Sequence, residues 1–244
     1  MREAISLHPD ASAEFDPHAR TYRDTVDGSL RFVEASADEM ARVKCDLLLD
    51  AASRLLGDPS GLSMLDVGCG VGLMERFLLP RAGRLVGGDV SAEMVAEAQR
   101  REPEAAFVHL PSAGLPFDTH AFDLQFSACV YHHVPPAERR GVVAELARVV
   151  RPGGMLFVFE HNPYNPVTRK IVADCPLDRD AVLLEPRETR SLLREAGLEI
   201  VEQRYYLFFP GRLRALRPLE RWLGWLPLGG QYYVAARKPR SGDT

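Results

Sequence analysis

Three groups of residues have the types and spacing to do chemistry. The first is Leu65-Asp-Val-Gly-Cys-Gly-Val-Gly72. Gly68, Gly70 and Gly72 let the backbone turn sharply and admit a ligand with no Cβ in the way. A helix starting directly after them can offer its free N–H groups to a carboxylate or phosphate. The second is Asp89, at the end of a later apolar run. In a doubly wound sheet a carboxylate there can accept both hydroxyls of a ribose. The third is a pair of segments, Ser127-Ala-Cys-Val-Tyr-His-His133 and Glu160-His-Asn-Pro-Tyr-Asn-Pro166. Imidazoles titrate near neutral pH, so His132, His133, His161 and Glu160 are candidates for moving a proton.

The elements that must position these groups follow from periodicity. Ser36-Ala-Asp-Glu39 has capping-box spacing, and Met40, Val43, Leu47 and Leu48 continue at helical intervals. A helix over about 37–56 is expected, stopped by Gly57-Asp-Pro-Ser-Gly61. From residue 63 short apolar runs alternate with helical segments. Strands are expected over 63–67, 84–89, 106–110, 122–126 and 155–159. Helices are expected over 73–79, from Ser91 onward, and over 136–150, the last ended by Arg151-Pro-Gly-Gly154. This alternation implies right-handed crossovers and a doubly wound parallel α/β sheet. Residues 162–186 read as an irregular insertion, followed by a short helix over 186–196. Two Tyr-, Phe- and Val-rich strands, 198–209 and 231–237, flank an insert over 210–229.

Composition narrows the partners. A 244-residue chain with net charge −4 has no global basic field for nucleic acid. No apolar run reaches the ~18 residues of a membrane span, and the first ten residues lack the apolar stretch of a signal peptide. Cys45, Cys69, Cys129 and Cys175 show no C-x-x-C spacing, so no metal is expected and a reducing cytoplasm is the simplest compartment.

The glycines read G-x-G-x-G, not the G-x-G-x-x-G of a dinucleotide turn, and Asp66 precedes the first by two. This resembles motif I of the class I S-adenosylmethionine-dependent methyltransferases, in particular a bacterial small-molecule type. Further stretches agree in order: Gly88-Asp-Val-Ser-Ala-Glu-Met94, Leu115-Pro-Phe117, Phe122-Asp-Leu124, His132-His-Val134 and Arg148-Val-Val-Arg-Pro-Gly-Gly154. The resemblance covers residues 63–161. It implies a Rossmann-like sheet of seven strands, mostly parallel with one antiparallel, in a single domain. Residues 1–62 would be an N-terminal helical cap or lid, 63–161 the cofactor core, and 162–244 the substrate-side segments and last strands.

Carried over position by position, the resemblance implies S-adenosylmethionine as cofactor. Gly68, Cys69, Gly70 and Gly72 would pass under its methionine part. Asp66 would orient that loop and the ammonium group, and Asp89 would hold the ribose. Val90 and Met94 would lie against the adenine, with Ser127 at the mouth and Tyr22 closing over the site. The family often has an acidic residue after strand three for the adenine amino group. Here the slot reads Leu110-Pro-Ser112; Pro111 cannot serve, which leaves Ser112.

The expected activity is methyl transfer to a small-molecule acceptor, O-methylation favoured over N- or C-methylation, with His133, His161 or Glu160 as catalytic candidates. Asn162-Pro-Tyr164 is similar to the Asn-Pro-Pro-Tyr loop of amino-group methyltransferases. It follows strand five instead of strand four and lacks the second proline, so with the negative charge no nucleic-acid partner is expected. Three rivals stay open: a non-catalytic S-adenosylmethionine-binding protein, an enzyme acting on a lipid-linked or isoprenoid acceptor at a membrane surface, and a methyltransferase of macromolecules. The second rests on the insert, where Arg212, Arg214, Arg217 and Arg221 interleave with Leu213, Leu216, Trp222 and Trp225. A cap packed on the sheet, or a contact in a homodimer, is the plainer reading of that insert; monomer and homodimer both remain open.

Overall fold

The computed structural model describes residues 15–111, 114–240 and 242. Among these, seven strands form one sheet in the order β3-β2-β1-β4-β5-β7-β6. They are β1 Ser63–Val67, β2 Arg84–Asp89, β3 Ala106–His109, β4 Phe122–Ala128, β5 Val150–His161, β6 Glu199–Tyr206 and β7 Gln231–Arg237. β1 to β5 pair in parallel, and β7 runs antiparallel between β5 and β6.

Side chains alternate across the sheet, and both faces are covered over its centre, so β1, β2, β4, β5 and β7 are largely buried on both sides while the edge strands β3 and β6 are partly exposed. Met64, Leu124, Phe157 and Tyr233 face the helix Ala37–Leu55, through Cys45, Leu48 and Ala52. Their neighbours Leu65, Val158, Tyr232 and Val234 face the helices Arg139–Val149 and Pro186–Glu195, through Val143, Leu146 and Leu193. The Ala37–Leu55 helix starts as its sequence indicates: the Ser36 Oγ accepts the Glu39 N–H at 3.2 Å. The Ser91 Oγ likewise accepts the Met94 N–H at 3.1 Å, opening the helix Ala92–Arg101.

Three local expectations are corrected. The segment after β5 is not irregular. Asn165 Oδ1 accepts the Val167 and Thr168 N–H groups and Pro166 occupies the first turn, so a helix runs over Pro166–Asp174, followed by a 3-10 turn, Pro176–Asp178. Residues 151–154 do not merely end a helix; β5 begins at Val150 and includes them, with Lys238 and Gly154 joined by a backbone bond. The helix expected over 73–79 is one α turn, Glu75–Leu78, continued as 3-10 over Leu79–Arg81 because Pro80 interrupts it.

The insert between β6 and β7 is a kinked 3-10 segment, Gly211–Leu219, and a single α turn, Glu220–Leu223. Glu220 fixes it by accepting the backbone N–H groups of Leu207, Phe208 and Phe209. Arg212 pairs with Glu34 and Arg217 with Glu39, so the insert lies beside the N-terminal helical segment. Trp222, Trp225 and Leu228 remain 58%, 74% and 64% exposed. No helix among the described residues is long and apolar enough to cross a membrane.

Candidate functional site

A cavity of about 260 Å³ opens at the carboxyl ends of β1, β2, β4 and β5. It runs from the glycine turn to the histidines. This is where an open α/β sheet places its ligand.

The turn is built for close approach. Gly68 has φ +85°, and a Cβ there would lie 2.3 Å from a Val130 methyl carbon, so only glycine fits. Gly68 and Cys69 donate their N–H groups to the Gly88 carbonyl, locking the turn to the end of β2. Asp89 Oδ2 accepts the Gly70 N–H and Oδ1 accepts the Ser91 N–H, both at 2.9 Å. Each carboxylate oxygen therefore keeps one lone-pair direction for a ligand hydroxyl. Burial raises the Asp89 pKa, against the backbone donors that favour its charge.

Asp66 is buried beside Glu75, and its Oδ1 has no hydrogen-bond partner. Burial, then the neighbouring carboxyl, pushes the Asp66 pKa well up; burial raises Glu75 to about 7. A cation brought to the Asp66 end of the cavity would favour its ionised form. Val90, Met94, Cys69, Gly70 and Ser127 line the same cavity. Tyr22, on the helix Tyr22–Leu30, reaches over it, its ring 4.0 Å from where a Gly70 Cβ would stand. Gly72 does not line it; its missing Cβ instead makes room for Phe107 at 3.0 Å and Ala98 at 3.3 Å. Ser112 lies outside the described residues.

The histidines occupy the other end. Glu160 is fully buried and does not line the cavity. Its Oε1 accepts the Tyr131 N–H at 2.8 Å and its Oε2 meets His132 Nδ1 at 2.6 Å. Burial works against charge on both, but mutual attraction prevails: the Glu160 pKa falls and that of His132 rises to about 10. His132 is therefore an imidazolium at neutral pH. His133, partly buried, has its pKa lowered by burial. It stands edge-on to Phe15, with ring centroids 4.9 Å apart. Asp178 Oδ1 sits 3.4 Å from the Nε2 atoms of both His132 and His133. His161 lines the cavity with Nδ1 3.3 Å from Gln231 Nε2.

Sequence reasoning missed Asp178, Lys44, Gln231 and the state of Cys129. Asp178 is delivered by the turn after the Pro166–Asp174 helix. Buried Arg139 secures that segment by donating to the Val134 and Val182 carbonyls and to Glu188. No local pattern reports this. Lys44 did leave a signal: it shares a helical face with Ala37, Ala41 and Leu48, where a lysine is out of place. Its Nζ donates to Cys129 Sγ at 3.3 Å. Burial alone would raise the Cys129 pKa, but Lys44 and His161 outweigh it and bring the thiol down to about 6.

The donor set fits S-adenosylmethionine. Glycine-only backbone stands at one wall, Asp66 borders the cavity with a carboxylate oxygen that has no partner, and Asp89 has lone pairs left for a ribose. Comparisons agree. The model of a methyltransferase domain matches residues 65–158. An uncharacterized methyltransferase of Synechocystis is 28% identical over 64% of this chain and 75% of its own length. A demethylmenaquinone methyltransferase of Beutenbergia cavernae is 32% identical over 65% of each. The crystal structure of the cyclase SpnF matches over 98% of this chain and all of its own, with TM-score 0.68 and 20% identity, a likeness of fold. Residues 65–158 thus match a methyltransferase domain, and the chain as a whole is similar to S-adenosylmethionine-dependent methyltransferases.

Proposed function

We propose that this methyltransferase acts on a small molecule through an oxygen atom, with His133 as the base. S-adenosylmethionine supplies the methyl group as an electrophilic sulfonium, and the acceptor oxygen gains the carbon as the sulfur leaves in line. The chain's own work is to hold, desolvate and deprotonate. Asp66 and Asp89 fix the donor end of the cavity. Tyr22 and Phe15 close its outer side against water, which leaves positioning to supply much of the rate. A hydroxyl acceptor also needs somewhere to put its proton.

The observation that carries this reading is the contrast between the two adjacent histidines. His132 is committed as a cation between Glu160 and Asp178. His133 is held neutral beside the same Asp178 and lines the cavity. Glu160 acts through His132 as a positioning residue. His161, tied to Gln231, orients the floor near Cys129. Incubation with methyl-labelled S-adenosylmethionine and a panel of phenols, enols, amines and carbon acids tests it. Label on oxygen supports the reading; label confined to nitrogen or carbon overturns it.

A second reading is favoured by Trp222, Trp225 and Leu228, all exposed on the insert, with the Arg221 guanidinium over the Trp222 ring and Arg214 exposed in the same segment. Such a face suits an anionic membrane surface carrying an apolar acceptor. The Beutenbergia relative bears the name of an enzyme for demethylmenaquinone, which agrees with an apolar acceptor here. Flotation with anionic lipid vesicles distinguishes the two readings. Loss of binding in Trp222→Ser/Trp225→Ser supports membrane recruitment, and no binding by the unmodified protein removes it.

A further inference from the structure

We infer that His132, His133 and Asp178 form a site for a divalent first-row transition metal of the zinc type, set in the acceptor end of the cavity. These three residues place one ligand atom each, His132 Nε2, His133 Nε2 and Asp178 Oδ1, within 4.8 Å of one another. Both nitrogen-to-oxygen separations are 3.4 Å. That is long for a hydrogen bond, whose usual length is about 2.9 Å. It is the edge expected between two ligands of a tetrahedral zinc ion, about 3.3–3.4 Å for bonds of 2.0–2.1 Å.

A second observation is independent of the cluster's shape. His132 is 1% exposed, and its Nε2 makes no hydrogen bond, having only the Asp178 carboxylate near it at 3.4 Å. A buried ring nitrogen without a partner is costly; a proton or a metal ion shared with Asp178 resolves it, and the metal replaces the proton. The other ring atom, Nδ1, is bonded to Glu160 Oε2 at 2.6 Å. Metal-binding histidines are generally braced in this way by a carboxylate, which fixes the ring and raises its basicity. Two imidazoles with one carboxylate suit zinc, cobalt or nickel over magnesium or calcium. All three residues line the cavity, so the fourth position is reached from the acceptor side.

The ligands explain why cysteine spacing gave no hint of a metal. They are histidines from the loop after β4 and an aspartate from a distant turn. Occupancy has one consequence, which rests on the proposed role of His133: a metal ion on Nε2 takes the lone pair that would receive the acceptor proton, so the loaded enzyme turns over more slowly.

Cobalt(II) titrated into chelator-treated enzyme tests the site through its visible ligand-field absorption, with zinc displacement followed by calorimetry. Expected are one ion per chain, a tetrahedral cobalt spectrum, and loss of that spectrum in Asp178→Asn and His133→Gln. Glu160→Gln should bind about 10- to 100-fold more weakly. Unchanged S-adenosylmethionine binding certifies that each variant is folded. Absent saturable binding, or binding that all three variants retain, overturns the inference. Tight binding without slowed methyl transfer leaves the metal site standing and removes His133 as the base. No binding, with a slow His133→Ala variant, does the reverse.

Discussion

Two carboxylates stand near the carboxyl ends of β2 and β5, with β1 and β4 between them in the sheet, and they differ in the partners that satisfy them. Asp89 takes its partners from turn backbone, the N–H groups of Ser91 in its own turn and of Gly70 in the turn after β1. Glu160 accepts one backbone N–H, from Tyr131, but spends its other oxygen on the side chain of His132, 28 residues away in the chain, and behind it stands Asp178. A backbone cradle needs only glycines at fixed spacing and can serve any member of a fold. A side-chain cluster needs the tertiary fold to bring it together, and under the proposed function this is how a generic donor site would acquire an individual acceptor end.

The largest effect separating the two ends should come from His133→Ala. Loss of a positioned base lowers kcat by about 10²- to 10⁴-fold, while S-adenosylmethionine affinity, measured by calorimetry, stays within about twofold. An equal fall in both would merge the two ends into one site. Next comes Glu160→Ala. It leaves a buried imidazolium short of its main counter-charge, and breaking such a pair costs about 3–5 kcal/mol in urea unfolding. A loss under about 1 kcal/mol would mean that His132 simply deprotonates.

The smallest effect is one of pH. Glu75 holds its proton in the folded state up to about 7, against 4.5 in the unfolded chain. The native state therefore binds more protons in that window, and stability falls as pH rises through it. Glu75→Gln should flatten this slope; an unchanged slope would place the cause elsewhere. His132 has the same sign in a higher window. Its contribution is full below about 6.5 and lost as pH rises through about 10.

This division also governs what the sequence revealed. β1, β2 and β7 lie where their apolar runs begin and end, because a strand covered on both faces is a continuous hydrophobic run. The positions of Gly68, Asp66 and Asp89 at the cavity were readable for a related reason: each lies at the end of a strand or in the turn directly after one, and those ends follow from the apolar pattern. Residues 162–178 were not. Their helix depends on one Asn-Pro cap, and their role depends on Arg139 clasping the Val134 and Val182 carbonyls together. Glu160 and His133 look alike as polar residues near strand ends. Only packing shows that one is sealed away and the other borders the cavity.

The donor cradle itself is tested most directly by titrating S-adenosylmethionine into the wild-type protein and into Asp89→Ala. Two charge-assisted hydrogen bonds to ribose, each worth about 1.5–3 kcal/mol, should vanish, weakening binding at least about 100-fold while His133→Ala binds normally. Unchanged affinity in Asp89→Ala would contradict the placement of the cofactor in this cavity.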